Sequence, residues 1–315
     1  MKTEDLLVSI IIPVYNRENY ILETIDSALS QDYSNFEVIV VDNNSTDKTL
    51  KRIGLRKDDK LKVYRNTKNI GPVRNWKKAI EYANGEFIKI LWSDDILAKS
   101  CIRKLIAGFD EKTAFSYSTT KIFNGQSSKL RYQLNNSKRI NTNEYLKHLI
   151  HSTSDLPVSP GCALFRKIDL VENLEIQIAN RINTDYSTLA IGNDLLLFLK
   201  PLLKYELVNY VSETLCSFRE HEDSISNKSG SILLDFHYSY CKLYFLHNYY
   251  GRKLLYYSFI AHYGLKFLIN RSKNPYNRYK FFKTIPQLGI YDFIMTPIGL
   301  SYVIYFKILQ KRTLQ

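Results

Sequence analysis

The chain has 315 residues and a mass of 36.9 kDa, long enough to bury a sizeable core as one large domain or two. Hydrophobic residues make up 45% and charged residues 24%, an ordinary balance for a soluble globular protein. The formal charge of +13 is uneven: from Ser231 onward twelve Lys/Arg face only Asp235 and Asp292, and this tail holds 13 of the 24 Tyr and 8 of the 16 Phe. The opening MKTEDLLVSIIIPV has an acidic pair and no small-residue cleavage site, so it does not read as a signal peptide. Cys101, Cys162, Cys216 and Cys241 show neither CxxC spacing nor a paired pattern and read as buried thiols in a reducing cytoplasm. The longest apolar stretch, residues 289–309, is interrupted by Asp292 and Pro297, which argues against a spanning helix.

Residues 7–14 (LVSIIIPV) form a β-rich apolar run, the pattern of a strand covered on both faces. Residues 18–31 place Ile21, Ile25, Ala28 and Leu29 at helical spacing, and 36–41 (FEVIVV) repeat the buried-strand pattern, ending at Asp42. A Ser-Thr-Asp cluster predicts a helix over 45–57, followed by a short strand at 61–65. A helix over 73–83 stops at Asn84-Gly85, and an apolar strand over 86–92 leads into Ser93-Asp94-Asp95. Alternating strands and helices of this kind build a parallel sheet flanked by helices, whose ligand crevice lies beyond the carboxyl ends of the strands. The polar residues at those ends, Tyr15-Asn16, Asp42-Asn43-Asn44, Asn66 with Asn69, and Ser93-Asp94-Asp95, should converge on one rim. No GxGxxG follows the first strand and no GxxxxGK[ST] occurs, so neither common nucleotide fingerprint is present. Farther along, the sequence predicts a helix at 102–109, a strand at 114–119, a polar connection around Gly125, a strand at 162–166, a helix at 195–203 opened by Gly192-Asn193-Asp194, and a strand at 214–218. Long aromatic and basic segments from Leu233 suggest helices up to Pro275.

Two adjacent carboxylates at a strand end admit two readings. One is a turn entering a helix whose N-terminus accepts negative charge. The other is a site for a hard divalent cation, Mg²⁺ or Mn²⁺, shared with a substrate diphosphate, where the metal neutralises charge on a departing phosphate. Taken singly, Asp42 could cap the next helix, Arg74 could be solvated, and His221 could be a surface histidine.

The blocks SIIIPVYN (9–16), VDNNSTDKT (41–49), NIGPVRN (69–75), ANGEFIKILWSDD (83–95), GND (192–194) and FREHEDSIS (218–226) resemble, in order, those of family 2 glycosyltransferases with the GT-A fold. The resemblance covers roughly the first 225 residues and implies an α/β, Rossmann-like, mostly parallel sheet flanked by helices. It implies that Pro13, Tyr15 and Asp42 line the pocket for the nucleotide base and ribose, and that Arg74 approaches the diphosphate or base. Ser93-Asp94-Asp95 stands for the family's Asp-x-Asp-like motif, with Ser where many relatives have Asp. Asp94 would contact ribose or metal, Asp95 the metal, and His221 the metal or diphosphate. Asp194 sits where the family places its catalytic acid residue and would be the general base of an inverting transfer, with Asp185 as a competitor. Many relatives have Glu-Asp where this chain has Asn193-Asp194, so one carboxylate is missing. A helix N-terminus pulls the pKa of Asp194 down while burial beside LLLF pushes it up, two effects of opposite sign. Small residues at 160–163 suggest a wall of the sugar pocket.

This reading divides the chain into a glycosyltransferase domain at 1–228, with a nucleotide-binding half 1–99 and an acceptor half 100–228, and a helical, aromatic and basic region at 229–315. That region fits either helices lying on an anionic membrane surface or a subdomain packed on the core. It carries no RNP, zinc-finger or helix-turn-helix pattern, so nucleic acid is not an expected partner. The function implied is a cytoplasmic enzyme, peripheral at the inner face of the cell membrane. It would move a sugar from a nucleotide-sugar donor to a lipid-linked oligosaccharide acceptor in O-antigen, capsule or related surface-polysaccharide synthesis. The alternative is a non-catalytic nucleotide-sugar-binding protein or membrane adaptor of the same pathway.

Overall fold

The computed structural model of the protein describes residues 6–180, 183–221, 225–251, 253–269 and 295–301. Its first part alternates strand and helix: β1 (Val8–Val14), α1 (Ile21–Leu29), β2 (Phe36–Asp42), α2 (Thr49–Ile53), β3 (Leu61–Arg65), α3 (Pro72–Tyr82) and β4 (Phe87–Ile90). The chain continues through β5 (Ile96–Leu97), α4 (Cys101–Ile106), β6 (Thr113–Phe123), β7 (Ser128–Arg131), β8 (Lys138–Asn141) and α5 (Thr142–His151). After a 3-10 turn at Pro160–Cys162 come β9 (Ala163–Arg166), α6 (Lys167–Asn173), α7 (Tyr186–Leu189), α8 (Asn193–Leu199) and β10 (Leu207–Arg219). Two helices follow, α9 (Ile225–Phe245) and α10 (Leu254–Ile269), with a π-helical turn at Leu246–Tyr250 between them.

All ten strands form one sheet in the order β3-β2-β1-β4-β9-β6-β10-β5, with β7 on the edge of β6 and β8 on β10. β1 to β4 pair in parallel, and β9 runs antiparallel to both β4 and β6. Two reversals restore the original direction, so β6 and β10 point the same way as β1 to β4 and their carboxyl ends share one rim. The expectation of a mostly parallel sheet flanked by helices holds. β1 and β2 are buried at every residue, which is why both read as continuous apolar runs. Successive residues alternate between two cores: Ile11, Ile39 and Val41 face α3, while Ile10, Ile12, Val38 and Val40 face α1 and α4.

Several predicted bounds change. The helix expected over 45–57 shrinks to α2, because Ser45, Thr46 and Asp47 spend their side chains on the loop instead. Ser45 Oγ bonds Asp42, the Thr46 amide donates to Asn16 Oδ1, and Asp47 accepts from the amides of Glu18 and Thr49. The connection around Gly125 contains β7 and β8 and leads into α5, which the sequence reading missed; Asn141 caps α5 by accepting from the Asn143 amide. In the tail, Phe236, Tyr240 and Phe245 of α9 and Tyr256 and Phe259 of α10 belong to the same apolar core as β1, α3 and α8. This part of the aromatic excess packs inward. Among the described residues no helix is long and apolar enough to cross a membrane. The remaining tail, residues 270–294 and 302–315, lies outside the described residues, as does most of the stretch at 289–309. All four cysteines are buried and free.

Candidate active site

The rim begins where β1 and β2 end together, with Val14 opposite Asp42. Asp42 is fully buried, accepts from the Ser45 amide and hydroxyl, and lies 3.3 Å from Arg65 Nε. Ser45 Oγ in turn accepts from the Asn16 amide at 2.9 Å. Asn16 and Asn44 take left-handed backbone conformations, φ 50° and 64°, a region that asparagine tolerates better than most residues. Beside them four asparagines interlock. Asn43 donates to Asn69 Oδ1 and accepts from Asn66 and the Ile70 amide, while Asn75 accepts from Asn66 and donates to the Val41 carbonyl. These bonds fix the residue 69–75 segment to the ends of β2 and β3.

The acidic pair follows β4. Asp94 Oδ2 accepts from Arg17 Nε at 3.1 Å and from His221 Nε2 at 2.8 Å. Burial would raise the Asp94 pKa, but the His221 hydrogen bond and the Arg17 guanidinium outweigh it and hold the carboxyl below its ordinary value. Asp95 is the opposite case. It is 4% exposed, and burial together with the adjacent Asp94 charge pushes its pKa well up. Its carboxylate accepts only the Arg219 amide, at 2.9 Å, among the described residues. β10 meets β5 antiparallel, with Ser217 opposite Ile96, and this pairing carries residues 219–221 onto the acidic pair. Arg219 also donates to the Asp94 carbonyl and to Glu23, while His221 packs against Tyr20. Behind the pair the buried Lys89 ammonium donates to the carbonyls of Ile90 and Gly161, and its charge partly offsets that of Asp95. Among the described residues no group of three or more His, Cys, Asp or Glu side chains could hold a metal. Asp94 and Asp95 do offer the hard oxygens that Mg²⁺ or Mn²⁺ takes, and Asp95 is a buried acid short of a counter-charge, so the donor set fits a cation completed by substrate oxygens.

Asp194 opens α8 and is 7% exposed. Its Oδ1 accepts the amides of Gly192 and Leu195, and its Oδ2 accepts the Tyr238 hydroxyl, each at 2.8 Å. Burial prevails over these bonds, and its pKa is pushed up to about 6. The 3-10 turn at Pro160–Cys162 packs both on α8, which carries Asp194, and on β4, the strand that leads to the acidic pair. Gly161 fits closely there: a Cβ would stand 3.0 Å from the Trp92 and Phe218 rings.

The pattern defining the family described as "Glycosyl transferase family 2" matches residues 9–172, just over half of the sequence. The chain belongs to glycosyl transferase family 2. An uncharacterized glycosyltransferase of Rickettsia felis is 40% identical over 116 residues, which are 37% of this chain and 19% of that protein. UDP-Glc:alpha-D-GlcNAc-diphosphoundecaprenol beta-1,3-glucosyltransferase WfgD of Escherichia coli is 35% identical over 125 residues, 39% of this chain and 49% of that protein. The chain thus spans half or less of the length of these curated relatives. Residues 1–349 of TarS from S. aureus, solved with UDP-GlcNAc, superpose with a TM-score of 0.62 at 21% identity, covering 94% of this chain and 80% of that one. At that identity the likeness concerns the GT-A fold.

Within this family 2 fold the residues singled out from sequence divide into groups. Asp42, Asp94 and His221 are joined by one chain of contacts through Ser45, Asn16 and Arg17, whose Nη1 donates to the Asn16 carbonyl, and Arg219 ties Asp95 to it by bonding both the Asp95 carboxylate and the Asp94 carbonyl. Pro13 is buried in β1 opposite Val41, and Tyr15 stands at the strand end, 40% exposed. Arg74 donates to Ser187 Oγ at 2.8 Å, and Ser187 bonds Asp185. Asp185 caps α7, and the Ser187 hydroxyl first of all holds its pKa down, which suits a cap better than a base. Asp194 has no hydrogen bond to the acidic pair. Arg17, Arg219 and Tyr238 also belong to these groups without any assigned role from sequence. Arg17 directly follows the SIIIPVYN block and Arg219 lies within FREHEDSIS, whereas nothing distinguished Tyr238 from the other tyrosines of the tail.

Proposed function

We propose that the protein transfers one sugar from a nucleotide-sugar donor to a lipid-linked saccharide acceptor, with inversion, in surface-polysaccharide synthesis. The observation that carries this reading is the clustering of Asp42, Asp94, Asp95 and His221 at the carboxyl ends of parallel strands; a buried acid of raised pKa, Asp194, on a helix packed against the same 3-10 turn as β4, supports it. Asp42, Pro13 and Tyr15 would receive the base and ribose. Asp95, with Asp94 and His221 near it, would hold Mg²⁺ or Mn²⁺ against the diphosphate; when bound, the ion supplies positive charge where the leaving group becomes more negative. Asp194 would take the acceptor proton as the acceptor oxygen attacks the anomeric carbon. A pKa near 6 leaves it ionised yet basic at neutral pH. Transfer should fall as pH drops through that value, because the protonated acid cannot accept.

The E. coli relative's name supports an undecaprenol-diphosphate-linked acceptor and a UDP-sugar donor. Peripheral contact with the inner membrane face follows from such an acceptor, and vesicle flotation of the full chain tests it. The direct test is a screen of nucleotide sugars for hydrolysis and transfer with Mn²⁺ or with EDTA. EDTA should abolish turnover. Asp95→Asn should lower kcat by about 10²–10³, the usual cost of losing a transition-state charge stabiliser, while leaving the metal-free melting temperature unchanged or higher, since it removes a buried acid whose charged form burial and Asp94 disfavour. Asp194→Asn should abolish transfer while sparing donor binding. A chain that neither binds nor turns over any donor would sink the reading.

A further inference from the structure

α9 reaches the acceptor side of the site. It lays Tyr238 and Cys241, one turn apart, over the 192–195 segment: Cys241 Sγ lies 3.1 Å from the Gly192 carbonyl, and the Tyr238 hydroxyl donates to Asp194 Oδ2 at 2.8 Å. Gly192, at φ 104°, makes this approach possible, because a Cβ there would stand 3.2 Å from Cys241 Cβ. A carboxylate has about four lone-pair positions. The Gly192 and Leu195 amides fill both on Oδ1, and Tyr238 takes one on Oδ2. Oδ2, which takes only one of these three bonds, is therefore the oxygen with more room for an acceptor, next to the Tyr238 hydroxyl.

We propose that Tyr238 is a positioning residue for Asp194, its hydroxyl fixing which lone pair of Oδ2 meets the acceptor, so that α9 forms part of the acceptor-activating apparatus. This rests on Asp194 being the base. In the transfer the acceptor oxygen bonds to the anomeric carbon, and the bond from that carbon to the phosphate oxygen breaks with its electron pair leaving on the diphosphate. The acceptor proton passes to Oδ2. Tyr238 keeps its own proton throughout. Its bond also favours the ionised carboxylate, opposing the burial that raises Asp194. Among the described residues, Tyr132, before β8, and Cys241 are the other titratable groups whose charge couples to Asp194. Burial raises both of these and Tyr238 above their ordinary values, so none loses a proton where Asp194 titrates. Beyond Cys241, Glu175 is paired with Lys200 at 2.5 Å, and Lys242 donates to Ser152 and the Ile150 carbonyl.

The experiment follows the Asp194 carboxyl by ¹³C NMR through a pH titration, its resonance assigned by its loss in Asp194→Asn, alongside kcat–pH profiles for the donor and acceptor that the screen selects. Tyr238→Phe should move the Asp194 midpoint and the acid limb of kcat up by about one pH unit, lowering kcat about fivefold near the original midpoint, with donor KM unchanged. Replacing Tyr238 with 3-fluorotyrosine, a more acidic phenol of nearly the same shape, should move both the other way and decides the matter if the Phe variant does not fold. Midpoint and limb at their wild-type positions in the folded variants would overturn the proposal. Should Asp194→Asn retain wild-type transfer, the base assignment fails instead, whatever the titration shows.

Discussion

The rim at the ends of β1 to β4 and the corner that holds Asp194 are built by different means. At the rim, loops at the strand ends bond one another through polar side chains, and nearly every participant lies in or directly beside a compact block of sequence: Asp42 with Ser45, Asn43 with Asn69, Asp94 with Arg17 and His221. Asp194 instead starts a short helix whose apolar residues are all buried, and its remaining side-chain partner comes from α9, 44 positions away. The rim is thus a lattice in which one lost bond leaves others in place, whereas the corner depends on a tail helix staying docked.

The contrast breaks most visibly if α9 and α10 are removed. Phe236, Tyr240, Phe245, Tyr256 and Phe259 all sit in the core shared with β1, α3 and α8. Deleting a single buried aromatic costs about 3–5 kcal/mol, so the loss of several exceeds the whole stability of about 5–15 kcal/mol usual for a folded protein. Ending the chain after Gly230 should therefore yield protein without a cooperative thermal transition. A soluble truncated chain with wild-type nucleotide affinity would show the rim to be independent of the tail.

The same contrast explains what the sequence disclosed. Parallel strands buried on both faces announce themselves as apolar runs, and the polar residues at their ends stand next to them in the chain, so β1 to β4 and the positions of Asp42, Asp94 and Asp95 at the strand ends were legible at once. His221 was legible only through its block, because the antiparallel β5–β10 pairing that delivers it to Asp94 leaves no local trace. The sign of the Asp194 pKa shift was not legible, since it depends on how completely the corner is sealed; the structure seals it, and burial prevails. Tyr238 was hidden among aromatic residues that mostly serve packing. The bond from Arg74 to Ser187 was also hidden, since it depends on the seating of α7, which no periodicity predicted.

A narrower test of the lattice uses Arg17 and His221, which donate to the same oxygen of Asp94. Either one can hold the carboxylate when the other is gone. Arg17→Ala and His221→Ala should each weaken donor binding by about tenfold, the scale of a hydrogen bond to a charged group. In a double-mutant cycle by calorimetry, the pair should cost more than the sum of the two. Strict additivity would mean that the two act on separate features of the donor.

The smallest effect on turnover belongs to Glu37, which tests whether the β1–β2 frame can be weakened without touching the rim. Glu37 is buried on β2, accepts from Ser9 and from the amide and side chain of Asn84, and pairs with Lys62 at 2.7 Å. Burial would raise its pKa, but these partners together bring it down to about 2. A carboxyl lower in the folded than in the unfolded chain contributes stability that is full above the ordinary value near 4.5 and is lost as pH falls toward about 2. Glu37→Gln should then cost about 1–3 kcal/mol at neutral pH and leave a shallower decline between those two values, with kcat at neutral pH unchanged. Urea denaturation at stepped pH measures this. If the variant declined as steeply as the wild type on acidification, the acid sensitivity would belong to other carboxylates, with the rim's own Asp94, also held below its ordinary value, the first to examine.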